Sequence, residues 1–273
     1  MTRAALISTI KEKKSFLCIG LDTDAEKLPA QFSRNYKGVI EFNKAIIDAT
    51  KSYCVSYKIN TAFYEALGSK GWEAMEETVA YIPDTHFKIA DAKRADIGNT
   101  SSQYAKAFFE TMDFDAVTVA PYMGEDSILP FLNYKDKWTI VLGLTSNKGA
   151  ADFEMLPVAT DGSDDTPYLY QKVISTVCNW GNLENLMFVV GATKATQIKN
   201  IRTIVPEHFL LVPGIGFQGG NLQDICNNGL NNDCGLLVNV SRAILFAGSG
   251  TQFASEAARV AKEYQHEMAA FIK

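Results

Sequence analysis

The segment His86-Phe-Lys-Ile-Ala-Asp-Ala-Lys-Arg-Ala-Asp-Ile-Gly-Asn-Thr100 passes abruptly from an apolar, strand-like run into three spaced ionisable residues, Asp91, Lys93 and Asp96. Helix-like three-and-four spacing follows over residues 102–112, so the stretch reads as one strand delivering one helix. Asp91 and Lys93 are two positions apart and share a strand face, while Asp96 follows in the loop. In a closed parallel barrel, chemistry belongs at such a C-terminal strand end.

The same unit recurs on both sides of this stretch. Short apolar or β-branched runs at residues 16–22, 54–60, 86–93, 116–121, 138–145, 186–191, 209–213 and 235–240 give eight candidate strands. Helical spacing separates many of them, at 39–52, 72–81, 102–112, 168–179 and 193–204. Nearly continuous apolar strands imply a parallel sheet covered on its outer face by helices. Eight βα units over 273 residues predict an α/β fold, a single (β/α)8 TIM barrel occupying residues 1–273 as one domain. Residues 250–271, with Phe253, Ala257, Val260, Ala261, Tyr264 and Met268 on an apolar stripe, read as the closing helix. Gly149, Pro157 and the acidic run 160–167 break the periodicity, so 148–167 reads as a long loop after the fifth strand.

Composition narrows the function classes. A formal charge of -5 gives no general basic surface for nucleic acid or an anionic membrane, so a phosphorylated substrate would need a local cationic pocket. No apolar run reaches the length of a membrane span, and residues 1–14 lack signal-peptide form, which makes the cytoplasm the expected location. Cys18, Cys54, Cys178, Cys226 and Cys234 form an odd set without a close pair and are expected as buried thiols. His86, His208 and His266 are too scattered to suggest a zinc site.

Two other strand ends carry charge. Gly20-Leu-Asp22 closes the first strand with a carboxylate, and Ser56-Tyr-Lys-Ile-Asn-Thr61 sets Lys58 inside an otherwise strand-like run. A lysine there is costly to desolvate unless a carboxylate or substrate answers it. Taken singly, Asp22 could cap a turn, Lys58 could form a structural ion pair, and Asp91 with Lys93 could be a solvated cluster. Together, Asp22, Lys58, Asp91 and Lys93 can converge as a polar reaction chamber with Lys93 as a proton donor.

Past the seventh strand runs Val212-Pro-Gly-Ile-Gly-Phe-Gln-Gly-Gly-Asn221, and Ser241-Arg242 follows the eighth. Loops after strands seven and eight are the preferred phosphate cradle of the barrel. Glycines allow close backbone approach, Gln218 can donate through its amide, and Arg242 can grip phosphate with two prongs. Gly214-Ile-Gly-Phe-Gln-Gly219 matches the short dinucleotide pattern literally, but it follows a seventh strand instead of opening an early βαβ unit, which argues against nicotinamide or flavin.

With these residues in order, the chain resembles the orotidine 5'-phosphate decarboxylase family. The resemblance rests on Gly20-Leu-Asp22, Lys58, the Asp91-x-Lys93-x-x-Asp96-Ile-x-x-Thr100 block, Thr145-Ser146-Asn147, residues 213–220 and Ser241-Arg242, with spacing similar to the longer bacterial branch. It implies decarboxylation of orotidine 5'-monophosphate to uridine 5'-monophosphate, in de novo pyrimidine biosynthesis, without metal or organic cofactor. By the same resemblance, Asp22 contacts ribose, and Lys58, Asp91 and Lys93 form the network beside the reacting base. Ser146 binds the pyrimidine, and the loop from Pro213 with Gln218 and Arg242 holds phosphate. A homodimer is implied, with Asp96 and Thr100 reaching across the interface into the other copy's site. Asn147-Lys148-Gly149 departs from the pattern, because many relatives carry proline after that asparagine. The rival is a magnesium-dependent decarboxylase of a phosphorylated keto sugar, which shares the Asp-x-Lys-x-x-Asp block. That group places an acidic ligand near the second-strand end, where this chain has Lys58.

Overall fold

In the computed structural model, which describes residues 1–159, 166–192, 195–215 and 220–272, eight parallel strands close into a barrel in sequence order. They are β1 Leu17–Gly20, β2 Ser56–Asn60, β3 Phe87–Arg94, β4 Ala116–Val119, β5 Trp138–Leu144, β6 Leu186–Val190, β7 Phe209–Pro213 and β8 Leu236–Val240. Each falls inside or within one residue of its sequence-predicted run. The signal was strong because nearly every strand residue is buried, whichever face it occupies. Closure is direct: Cys18 lies opposite Ser56 on one side and Asn239 on the other. At the barrel floor, the first residues of β3, β5 and β7 meet edge to face, with Phe87 6.1 Å from Trp138 and Trp138 6.5 Å from Phe209.

The helices are α1 Arg3–Lys13, α2 Tyr36–Thr50, α3 Ala62–Glu65, α4 Ser69–Tyr81, α5 Gly98–Lys106, α6 Glu125–Leu132, α7 Ala150–Phe153, α8 Leu169–Val177, α9 Ala195–Ile204, α10 Leu222–Gly229, α11 Arg242–Leu245 and α12 Phe253–Ala269. Helix α12 buries Phe253, Ala257, Ala261 and Met268 of the expected stripe, leaves Val260 and Tyr264 half-buried at its edge, and packs on α2. Helix α5 starts four residues earlier than the sequence suggests, so Thr100 lies in its first turn, and it continues into a widened turn over Ala107–Thr111. The expected loop 148–167 contains α7 and a bridge between Pro157 and Tyr168. Residues 160–165 of its acidic run lie outside the described residues.

Helix α1 was not apparent in the sequence because it buries only Arg3, Leu6 and Ile10. Arg3 works as a bracket on the barrel floor. Its guanidinium donates to the Leu183 and Glu207 carbonyls at 3.1 and 2.8 Å, pairs with Asp233 at 3.1 Å, and lies over the Phe209 ring. The five cysteines are free, as expected, and burial pushes the thiols of Cys18 and Cys54 up to about 12 and about 11.

Candidate active site

Register brings the charged strand ends together. Gly20 lies opposite Lys58, and Asn60 lies opposite Asp91, so the C-terminal ends of β1, β2 and β3 meet at one side of the barrel mouth. Lys58 is only 3% exposed, and its ammonium is 2.9 Å from Asp91 Oδ2 and 3.3 Å from Asp22 Oδ1. The other Asp91 oxygen receives the Lys93 ammonium at 2.5 Å and the Thr118 hydroxyl at 3.1 Å. Asp22, Lys58, Asp91 and Lys93 therefore form one continuous alternation of charge.

Electrostatics fix the protonation of its two central members. Burial alone would favour neutral Lys58, but Asp22 and Asp91 outweigh it and hold the ammonium well above the usual lysine range. Burial would likewise raise Asp91, yet the charges of Lys58 and Lys93 hold this carboxyl well below the usual carboxylate range. Both stay ionised throughout the neutral range.

Backbone and neighbouring hydroxyls hold the array in place. The Ser241 hydroxyl donates to Asp22 Oδ2 at 2.7 Å, and Asn239 Nδ2 donates to Ser241 Oγ at 3.3 Å. On the other side of Asp22, the Tyr64 hydroxyl donates to the Leu21 carbonyl, and Thr23 donates to Asn43. Gly20 leaves the space these contacts need, because a Cβ there would sit 1.9 Å from Ser241 Oγ. Lys93 has the left-handed backbone angle φ 48°, and its N–H donates to Thr118 Oγ1 at 2.9 Å.

A cavity of about 190 Å³ opens beside the array. Asp22, Lys58 and Asp91 line it together with Pro213, Gly214 and Arg242 from the ends of β7 and β8. Three of the four residues expected in the reaction chamber thus share one space with Pro213 and Arg242, expected at the phosphate end, while Lys93 does not line it and reaches the array through Asp91. Asn60, Asn239 and Ser241 also line it, although sequence reasoning gave them no role. Of these, only Ser241 had a signal, as the neighbour of Arg242. Gln218 lies outside the described residues.

Ser146 does not line this cavity. It sits in the turn after β5, against the end of β6, where a Cβ on Gly191 would come within 2.7 Å of its Cα and Cβ. Glu154 steadies that turn by accepting from the Thr145 N–H at 2.7 Å. Asp96 and Thr100 stand on the rim. Among the described residues, no hydrogen bond or ion pair within the chain joins Asp96 to Lys58, Asp91 or Lys93; its carboxylate accepts from the Ile97 N–H at 2.8 Å. Thr100 is exposed. Around them the rim is unusually apolar, with Ile97, Tyr122 and Met123 exposed by 58, 95 and 44%. No group of three or more His, Cys, Asp or Glu side chains converges as a metal-binding set among the described residues.

Comparison with known proteins gives a consistent picture. A family model described as Orotidine 5'-phosphate decarboxylase / HUMPS family matches residues 15–257. The chain is 54% identical over 275 residues to a Flavobacterium johnsoniae protein named Orotidine 5'-phosphate decarboxylase, covering 100% of this chain and 98% of that one. A protein of the same name from Phocaeicola vulgatus is 53% identical over 271 residues, 98% of each chain. Among solved structures, OMP decarboxylase of Leishmania donovani superposes with a TM-score of 0.83 at 33% identity, over 99% of this chain and 100% of that one.

Proposed function

The chain belongs to the orotidine 5'-phosphate decarboxylase / HUMPS family, and on that premise we propose that its barrel mouth converts orotidine 5'-monophosphate to uridine 5'-monophosphate and carbon dioxide, a step of pyrimidine biosynthesis. The observation that carries the reading is the paired ionisation of Lys58 and Asp91, with Lys93 on the second Asp91 oxygen. A fixed anion flanked by two cations, next to a cavity that an arginine also lines, suits a substrate that is anionic at both ends.

In this assignment Arg242, Gln218 and the backbone after Pro213 hold phosphate, Asp22 holds ribose, and Ser146 meets the pyrimidine. The substrate carboxylate then lies near Asp91, whose charge disfavours it. Breaking the bond from C6 to the carboxylate leaves the electron pair on C6 and releases carbon dioxide. Negative charge moves away from Asp91 and towards Lys93, so the preorganised field favours the transition state over the ground state. Lys93 then gives an ammonium proton to C6 and recovers one from solvent. Lys58 keeps Asp91 ionised and in place throughout.

The apolar rim supports a homodimer in which the partner subunit's Asp96 joins the network and the partner subunit's Thr100 reaches ribose. Lys58 also weighs against the magnesium-dependent keto-sugar chemistry, because its ammonium occupies the strand-two position where that group needs an acidic ligand. The free thiols suit a reducing compartment, and we assign the enzyme to the cytoplasm. The direct test is incubation of metal-stripped protein with orotidine 5'-monophosphate, following nucleotide product and carbon dioxide. Substrate left intact by folded dimer would refute the assignment, and magnesium-dependent turnover of a keto-sugar phosphate would establish the rival.

A further inference from the structure

We propose that Thr118, in the middle of β4, is a positioning residue for the decarboxylation: its hydroxyl sets the Lys93 backbone and the Asp91 carboxylate in fixed relation. The role rests on the decarboxylase reading of the site, but the geometry behind it stands alone. Thr118 is fully buried and touches neither the cavity nor solvent.

The need for it arises in the β3–β4 pairing. Ala90 lies opposite Val117, yet the next pair is Arg94 with Val119, so β3 advances four residues while β4 advances two. Asp91, Ala92 and Lys93 fall in this irregular stretch, opposite Thr118. Lys93 also takes φ 48°, a region that residues bearing a Cβ seldom occupy. Glycine would relieve the backbone but would remove the ammonium that the reaction needs. Support for Lys93 must therefore come from a neighbour.

Thr118 supplies that support with one hydroxyl. Its oxygen accepts the Lys93 N–H at 2.9 Å, inside the stretch where the ladder register breaks, and its proton goes to Asp91 Oδ1 at 3.1 Å. The same Asp91 oxygen receives the Lys93 ammonium at 2.5 Å. A closed loop results, from Lys93 backbone to Thr118 to Asp91 to the Lys93 ammonium. Within it, the proton donor cannot drift along the strand without breaking a buried hydrogen bond. Small displacements of a reacting group cost large factors in rate, so this loop should be read out in kcat.

The test compares Thr118→Val, which keeps the shape and loses the hydroxyl, with Thr118→Ser, which keeps the hydroxyl. We expect Thr118→Val to lower kcat by about a hundredfold, while the dissociation constant for uridine 5'-monophosphate changes less than about threefold, because, among the described residues, those assigned to phosphate and ribose make no hydrogen bond to Thr118. Thr118→Ser should stay within about tenfold of the unaltered enzyme. A Thr118→Val enzyme with unchanged kcat, equal losses in both variants, or product binding weakened in step with kcat would each overturn the positioning role. Amide hydrogen exchange of the unaltered protein gives a readout independent of any variant's folding: Lys93 should be protected, and exchange at the rate of an open loop would overturn the proposal. If the unaltered enzyme leaves orotidine 5'-monophosphate intact, the decarboxylase reading fails, and Lys93 protection still judges the hydrogen-bonded loop.

Discussion

Lys58 keeps its charge although it is 3% exposed, and the arrangement that allows this extends beyond its two carboxylate partners to residues with no charge. Asp22 can answer Lys58 only while Ser241 holds its other oxygen, and Ser241 can do so only because Gly20 has no Cβ. Ser241→Ala should lower kcat/KM about tenfold, the loss of one hydrogen bond to a charged group. Gly20→Ala should cost more, since its Cβ would meet Ser241 Oγ at 1.9 Å. Combining the two changes removes that oxygen and leaves the Ser241 Cβ position at 3.0 Å, so the double variant should outperform Gly20→Ala alone in steady-state assays. Losses that simply multiply would mean the contact does not govern Asp22. A second residue-scale balance concerns acid. The Lys13 ammonium donates to the Lys51 and Cys54 carbonyls at 2.8 and 2.9 Å and lies 2.7 Å from His86 Nε2, which is itself 2.8 Å from the Lys51 carbonyl, so a charge on the imidazole would stand directly against the ammonium. Burial, reinforced by Lys13, lowers His86 from 6.5 to about 4 in the folded chain. The unfolded chain therefore takes up this proton first as pH falls, and the stability present above 6.5 is lost progressively towards 4. At about 1.4 kcal/mol for each pH unit between the unfolded and folded values, His86 should account for roughly 2–3 kcal/mol of that loss. Urea unfolding at pH 7 and pH 4.5 should show a smaller pH effect for His86→Gln than for the unaltered chain; equal effects would remove His86 from the account.

At the scale of elements, the return connections on the floor of the barrel depend on one side chain from α9. Arg202 donates to the carbonyls of Gly229, Val205, His208 and Gly235 at 2.6, 3.0, 2.6 and 2.7 Å, tying the end of α10 to the entries of β7 and β8. Burial brings its guanidinium down to about 10, still charged at neutral pH. Arg202→Met would leave several buried carbonyls without donors and should destabilise the fold by about 3 kcal/mol or more. Its kcat should stay within about threefold, because these contacts lie at the end of the barrel opposite the cavity. Denaturation midpoints with assays on the folded fraction would check both parts, and a lost kcat at full stability would contradict this division between floor and mouth. Such brackets mark the limit of what the sequence reveals. The eight strands were legible because burial on both faces writes unbroken apolar runs, and Asp22, Lys58, Asp91 and Lys93 stood out as charges interrupting them. Helix α1 was hidden because only three of its residues are buried, and α6 because Pro130 lies inside it. Thr118 gave no signal either: a β-branched residue in Ala116–Val119 looks like an ordinary strand former, and its hydroxyl gains meaning only from a register break in the neighbouring strand. Asp96 stands out in the sequence as the third ionisable residue of its segment, but its role and that of Thr100 come only from the family motif, since among the described residues no hydrogen bond or ion pair within one chain connects them to the charged array.

For the whole molecule, the decisive question is whether one barrel can be a complete enzyme. Lys58, Asp91 and Lys93 are assembled within the chain, whereas Asp96 stands on the rim beside the exposed side chains of Ile97, Tyr122 and Met123. In the dimer proposed above, those apolar side chains are covered and each site borrows its Asp96 from the other copy. Lys93→Ala and Asp96→Ala should then each be nearly inactive as homodimers, for different reasons. Unfolding the two variants together and refolding them allows mixed dimers to form. In a mixed dimer, the site built on the Asp96→Ala chain has its own Lys93 and receives Asp96 from the Lys93→Ala chain, so it is competent; the opposite site carries both defects. Unbiased pairing makes about half of the dimers mixed, each with one competent site, so activity should recover to about a quarter of that of unaltered protein, as closed two-fold geometry requires. Dimer composition must be measured alongside turnover, for example with a size tag on one variant. Abundant folded mixed dimer with no recovered activity would show that Asp96 does not complete the other copy's site, and its place on the apolar rim would then need a purely structural explanation.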